Sequence, residues 1–174
     1  MPDSTLKQAI KEAYAAAPDN VIIYHTLEFR HPSFTTPIRV VRDYTDLTAT
    51  LEASAPVDAG QAVTFVRFAF NLVKPEVSAT GVPQCTIEID NVSRDIVANI
   101  EASLSSTSPI SVTYREFISS DLSGPQNDPP ITMSLLSVTA DTFKVKAVAG
   151  FPDLVNRRFP TKEYDAETFS GLVS

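Results

Sequence analysis

Tryptophan is absent from this chain, cysteine occurs once, and glycine occurs only five times in 174 residues. Each scarcity excludes something. A single thiol, Cys85, leaves no intrachain disulfide framework. Five scattered glycines supply no phosphate-cradling loop and argue against flexible linkers. Only two histidines are present, His25 and His31. With Glu28 they spell H-x-x-E-x-x-H. On an extended strand, however, the imidazoles stand about 20 Å apart with the carboxylate on the opposite face, and the helical H-E-x-x-H spacing of a zinc hydrolase is missing. No G-x-S-x-G nucleophile elbow occurs. No apolar run approaches the roughly 18 residues of a membrane span; the longest, residues 62–73, is broken by Thr64, Arg67 and Asn71. The opening MPDSTLKQAIKEAYAAAP has polar residues where a signal peptide carries its apolar core, so no export signal is expected. A basic footprint is also lacking: 14 Lys and Arg face 21 Asp and Glu, for a net charge of −7. The acids are dispersed, which argues against nucleic-acid and anionic-membrane partners.

What is present is an ordinary globular composition, 43% hydrophobic and 20% charged, at a length that fits one domain. A short amphipathic helix is expected over residues 4–17, with a stripe of Leu6, Ile10, Tyr14 and Ala17 and a possible capping box of Thr5 and Gln8; Pro18 ends it. Residues 21–30 predict a strand with Ile23, His25, Leu27 and Phe29 on one face and Ile22, Tyr24, Thr26, Glu28 and Arg30 on the other. Further strands are expected at 38–42, 48–52 and 62–73, the last with Val66, Phe68, Phe70 and Leu72 on one face. The stretch 84–90 alternates Cys85, Ile87 and Ile89 against Thr86, Glu88 and Asp90, so Cys85 is expected to be buried. Asp90 or Asn91 then caps a helix over 92–105, along which Val92, Ile96, Val97, Ile100 and Leu104 recur at helical spacing. A strand at 110–117 and a hairpin of 131–138 with 142–149 complete the pattern. The proline-rich DLSGPQNDPP at 121–130 predicts a wet, projecting loop. The fold class is therefore mainly β (α+β), a β-sandwich or barrel of about eight strands with one central flanking helix. Residues 1–149 form this single domain, and 150–174 form a C-terminal docking arm.

The strand–cap–helix unit TIEIDNVSRDI (86–96) resembles the central signature of a family of small phage tail proteins known mainly as a domain of unknown function. TLEFRHPSF (26–34) with IRVVRDY (38–44) resembles the family's opening strand pair. SVTYREFISSD (111–121) resembles its strand after the helix, and FPDLVNRRFPTKEY (151–164) with FSGL (169–172) its closing segment. The resemblance implies a tail-tube-like β-sandwich and a non-enzymatic virion protein of a long-tailed phage, placed in the distal tail or baseplate between tail tube and tip complex. Its implied partners are itself, in a three- or six-fold ring, and neighbouring tail proteins, with assembly in the host cytoplasm, where a lone thiol is at home. It implies no cofactor and no metal. The rival is a carbohydrate- or receptor-binding β-sandwich, which calls for exposed aromatic platforms in loops, whereas the aromatics here fall mainly in strands and the arm. A small cell-wall hydrolase is a third possibility, disfavoured by the missing catalytic set.

Candidate interface residues follow. Arg94, on the first turn of the expected helix, is either surface charge or a subunit contact. Asp121, Asn127 and Asp128 are expected to keep the 121–130 loop wet and facing a neighbour. Arg157 and Arg158 are either solvated or anchor the arm on Glu28 or Glu88 through bidentate hydrogen bonds. Phe159, Tyr164 and Phe169 give the arm more apolar surface than a chain leaves in water. The carboxylate pairs Glu88/Asp90 and Asp43/Asp46 are of a kind that 21 acids produce by chance.

Overall fold

The computed structural model describes residues 7–16, 21–73, 84–90, 106, 108–140 and 144–151. Within them one short helix, α1 (Gln8–Ala16), precedes nine strands. These are β1 (Ile23–Arg30), β2 (Ile38–Val41), β3 (Leu47–Thr50), β4 (Ala62–Arg67), β5 (Phe70–Val73), β6 (Gln84–Asp90), β7 (Ser111–Ile118), β8 (Ile131–Ala140) and β9 (Lys144–Gly150). They form a single sheet in the order β3-β4-β2-β1-β7-β8-β9-β6-β5. The mainly-β class holds, with nine strands among the described residues where about eight are expected. The expected helix at 92–105 and the arm beyond Phe151 lie outside the described residues.

The sheet curls on itself. β4 and β5 sit near opposite ends of the strand order, yet only Phe68 and Ala69 separate them in sequence. The main apolar cluster shows what the curl encloses. It joins Leu27, Val40, Val112 and Tyr114 from one half of the sheet to Phe70, Cys85, Ile87, Ile89, Ala147 and Ala149 from the other. The 62–73 segment is thus not one strand with one apolar face. Val63 and Phe65 are buried in the first half and Phe70 in the second, while Val66 is 47% exposed. The covered face switches across the two-residue link, from Val63 and Phe65 on the outer cluster to Phe68, Phe70 and Leu72 on the main one, as one extended segment leaves β2 and joins β6.

A second apolar cluster lies on the outer face of the curl. β2 hands its outward residue, Val41, to Leu47, Ala49, Leu51, Ala55, Val63, Phe65 and Phe117. β3, β4 and the loop at 51–61 supply most of this cover. As a result both faces of β1 and β7 are buried, and residues 112–118 are buried without a break. The polar face of β1 expected from its alternation is covered by chain, not by water.

Candidate functional site

The covered outer face of β1 and β7 carries charge. In register, Glu28 pairs with Thr113 and with Arg39, and Thr26 with Arg115. Cross-strand neighbours share a face, so Glu28, Arg30, Arg39 and Arg115 converge. Glu28 is fully buried, and its Oε2 accepts a hydrogen bond from Arg39 Nε at 2.7 Å. Its Oε1 lies 3.1 Å from Arg30 Nε and 3.5 Å from Arg115 Nη1. The fully buried Arg115 donates from Nε and Nη2 to the two oxygens of Glu52, at 2.7 and 2.8 Å. Arg39 donates from Nη2 to Asp58 Oδ2 at 2.7 Å. Three carboxylates and three guanidiniums therefore balance, and the loop at 51–61 is fastened at both Glu52 and Asp58. Asp58 reaches its partner from a left-handed backbone (φ 54°), a conformation that aspartate tolerates better than most residues. Burial opposes the Arg39 charge, but Glu28 and Asp58 outweigh it and raise its pKa. Burial likewise opposes the Glu52 charge, but the hydrogen bond from Arg115 and the loop's own backbone bond win, lowering its pKa.

On the inner face of the same strands, His25 Nδ1 lies 2.7 Å from Tyr114 Oη, which donates to the buried Glu116 Oε1. The expected loop at 121–130 is exposed at Asp121, Ser123, Asp128 and Pro129 but buried at its middle, residues 125–127. Gln126 N donates to Glu116 O at 2.7 Å and Gln126 O accepts from Lys7 N at 3.0 Å. Asn127, 4% exposed, accepts from Glu116 N through Oδ1 at 3.0 Å and donates to Tyr114 O through Nδ2 at 3.1 Å. The reading of Asn127 as a wet interface residue is thereby corrected. β8 pairs with β7 only up to Tyr114, and the backbone beyond needs partners, which a carboxamide supplies as both donor and acceptor. Asp121 and Asp128 are exposed as expected. Asp121 accepts from Ser123 N and Oγ, which lowers its pKa.

The remaining sequence candidates, Arg94, Arg157, Arg158, Phe159, Tyr164 and Phe169, lie outside the described residues. Neither anchor offered to the arm is vacant: Glu28 is enclosed by three arginines, and Glu88 faces Lys144 and Lys146 at 3.7 and 3.4 Å. His31 is buried, with Nδ1 2.6 Å from Ser33 Oγ and Nε2 3.0 Å from Ser108 O. Cys85 is buried, and burial pushes its thiol up to about 11, where almost no reactive thiolate exists at neutral pH.

One site was missed by sequence reasoning. An open groove of about 640 Å³ runs along the β4–β5 link and the turn after β2, lined by Arg42, Asp43, Tyr44, Arg67, Phe68 and Asn71 among others. Tyr44 stands at its rim, 93% exposed. The available signal was RDYTD, in which two aspartates bracket an aromatic residue in an Asx-turn pattern.

No curated protein is matched by the chain. The family model described as a domain of unknown function (DUF1833) matches residues 9–164. The match covers α1 from its second residue and the nine strands of the described residues, and on it the chain belongs to the DUF1833 family.

Proposed function

We propose that this protein is a non-enzymatic structural component of a phage tail, forming a ring or adaptor at the distal tail or baseplate between tail tube and tip complex. The observation that carries the reading is the inward use of charge. Glu28, Arg39, Glu52, Asp58 and Arg115 are tied to one another inside a double-faced wall, an arrangement suited to a rigid building block. The resemblance of the strand pairs and of the TIEIDNVSRDI unit to small phage tail proteins supplies the setting: a virion protein, assembled in the host cytoplasm, whose partners are copies of itself and neighbouring tail proteins.

The test is genetic and structural. In a phage encoding this chain, its deletion is expected to give particles with incomplete, non-infectious tails, restored by expression in trans. Mass spectrometry of purified tails should find the protein in a fixed small stoichiometry. Normal infectious tails lacking the protein overturn the proposal. A second reading, a carbohydrate- or receptor-binding module, is favoured by one observation, the exposed Tyr44 ring beside the groove. Tails that assemble without the protein but no longer adsorb to cells select that reading.

A further inference from the structure

The strand order has two ends, β3 and β5. A strand at an end leaves every second residue with an N–H and a C=O that no ladder uses, which makes it a template for another strand. Proteins commonly guard such edges with charge, proline, a bulge or covering chain. β3 is guarded by chain, since Thr50 N donates to Leu122 O at 2.9 Å. Among the described residues β5 is guarded in none of these ways. It pairs with β6 in unbroken register from Phe70 to Val73. Its residues Phe70, Asn71, Leu72 and Val73 include no charge and no proline. Asn71 is exposed, and Val73 is 57% exposed. There is also room beside the strand: Phe70 and Asn71 line the open groove together with Arg42, Asp43 and Tyr44 of the turn after β2.

The chemistry of the edge specifies a peptide, because only a second extended backbone presents donors and acceptors at the spacing of the ladder. The chain supplies one within reach. β9 ends at Gly150, opposite Gln84 of β6, and Val73 lies opposite Thr86 of the same strand. Residues 152–174 therefore leave from the Val73 end of β5, with only β6 between. Their starting point is fixed, since Phe151 packs against the main apolar cluster as Ala147 and Ala149 do. Neighbouring strands stand about 4.8 Å apart, which puts the free side of β5 about 15 Å from β9. Residues 152–160 reach up to about 30 Å when extended. Beyond Pro160 the stretch 161–174, TKEYDAETFSGLVS, holds no proline, so each of its residues has an N–H to donate. A tethered segment also meets its seat at an effective concentration of about millimolar, an advantage that no free partner has.

We infer that residues 161–174 of the same chain add to the free edge of β5 as a further strand, antiparallel to it and running toward the groove beside Tyr44. The direction follows from the starting point: the arm enters at Val73 and has only the way back toward Phe70 to run. Backbone hydrogen bonds hold it, so its fit to the edge depends on extended geometry more than on particular side chains. The inference goes beyond the tail reading and does not rest on it.

The experiment places a photoreactive benzoylphenylalanine at position 44 of the full chain. Tyr44 is 93% exposed at the groove, so the replacement should leave the fold intact, which an unchanged thermal midpoint verifies. Irradiation and mass spectrometry are expected to find an adduct to a residue within 161–174. With light and heavy isotope-labelled copies mixed, each adduct is expected to join residues of one label. Hydrogen exchange read by nuclear magnetic resonance is expected to show every amide from Phe70 to Val73 slow, because both sides of β5 are then paired. The double variant Ala166→Pro with Thr168→Pro removes two donors from the arm and leaves the β-domain untouched. It is expected to lower the adduct yield and to speed exchange at alternate β5 amides, each by about tenfold or more. Adducts joining light to heavy copies would make a second copy the occupant and overturn the inference. No adduct, an adduct outside 161–174, fast alternate β5 amides in wild type, or a proline variant that behaves like wild type would each overturn it too.

Discussion

Along the stretch where Leu27 and Glu28 face Val112–Tyr114, the two sides of the β1–β7 strand pair are equally buried and built from opposite chemistry; the inner side turns polar only at its His25–Tyr114–Glu116 end. The inner face carries Leu27, Phe29 and Val112 into the main apolar cluster. The outer face carries Thr26, Glu28, Thr113 and Arg115, all at 2% exposure or less. Apolar burial is non-directional and follows area, so the inner face mainly asks for volume. The outer face asks for geometry, because each buried charge is costly unless its partner stands at the right place. The charged face is also the one that fastens the loop at 51–61 through Glu52 and Asp58. The comparison teaches that equal burial does not mean equal tolerance.

Removing Arg115 should break the outer face most severely. Arg115→Met leaves Glu28 and Glu52 short of their shared partner, and loss of one member of a buried ion pair costs about 3–5 kcal/mol. Urea denaturation at neutral pH checks this; a loss under about 1 kcal/mol would place the network in water. On the inner face Leu27→Ala should cost about 2–5 kcal/mol, the range for a large-to-small core change. The two variants differ in what rescues them. Leu27→Met should restore most of the inner face, since volume-conserving swaps are tolerated, whereas Arg115→Lys should restore little, because an ammonium cannot make the bidentate bond to Glu52.

The faces should also part company in acid. Glu52 has its pKa lowered in the fold, so between that value and the ordinary glutamate range near 4.3 the unfolded chain binds more protons than the folded one. Its contribution is complete above the unfolded value and is lost as pH falls through the folded one. Glu52→Gln should therefore cost about 1–3 kcal/mol at neutral pH, as for a hydrogen bond to a charged group, and less toward acid, flattening that limb of the stability curve. Leu27→Ala should lower the whole curve without changing its shape. Parallel curves for wild type and Glu52→Gln from neutral to acid pH would show that Glu52 is not held by charge.

The inner face was legible in the sequence and the outer face was not, for a physical reason. Cys85, Ile87 and Ile89 alternate against Thr86 and Glu88, and the strand Gln84–Asp90 follows that pattern with the expected residues inside. The same rule applied to Thr26, Glu28 and Arg30 predicts a wet face. Thr26 and Glu28 are dry and Arg30 half-buried because residues 47–65 cross over this face, a fact that no local period contains. Residues 62–73 defeat the rule in another way, since the covered face switches from the side of Val63 and Phe65 to that of Phe68, Phe70 and Leu72 as the curl closes. The loop at 121–130 has the composition of a projecting turn, yet Asn127 serves as a partner for the unpaired backbone of β7. For the candidate site, RDYTD encodes the turn, but that Tyr44 stands beside a groove depends on β4 arriving with Arg67.

The smallest effect is expected where the wall meets neither face. Gly150 ends β9, opposite Gln84 and Ser134. A Cβ added there would come within 2.9 Å of Leu136 Cδ1, with no backbone atom among its three nearest neighbours. Leu136 sits at the irregularity between Leu135 and Ser137 in β8 and is 55% exposed, so its terminal methyl can turn into water. Overpacking that a side chain can relieve costs little, and replacing glycine by alanine restrains the unfolded chain, a gain of about 0.4–1 kcal/mol where the backbone is compatible. The two effects oppose each other, and Gly150→Ala should stay within about 1 kcal/mol of wild type. Thermal and urea denaturation measure the change. A loss beyond about 2 kcal/mol would mean that Leu136 cannot move. The irregularity in β8 would then be a fixed part of the wall, as demanding of geometry as the charged face of β1 and β7.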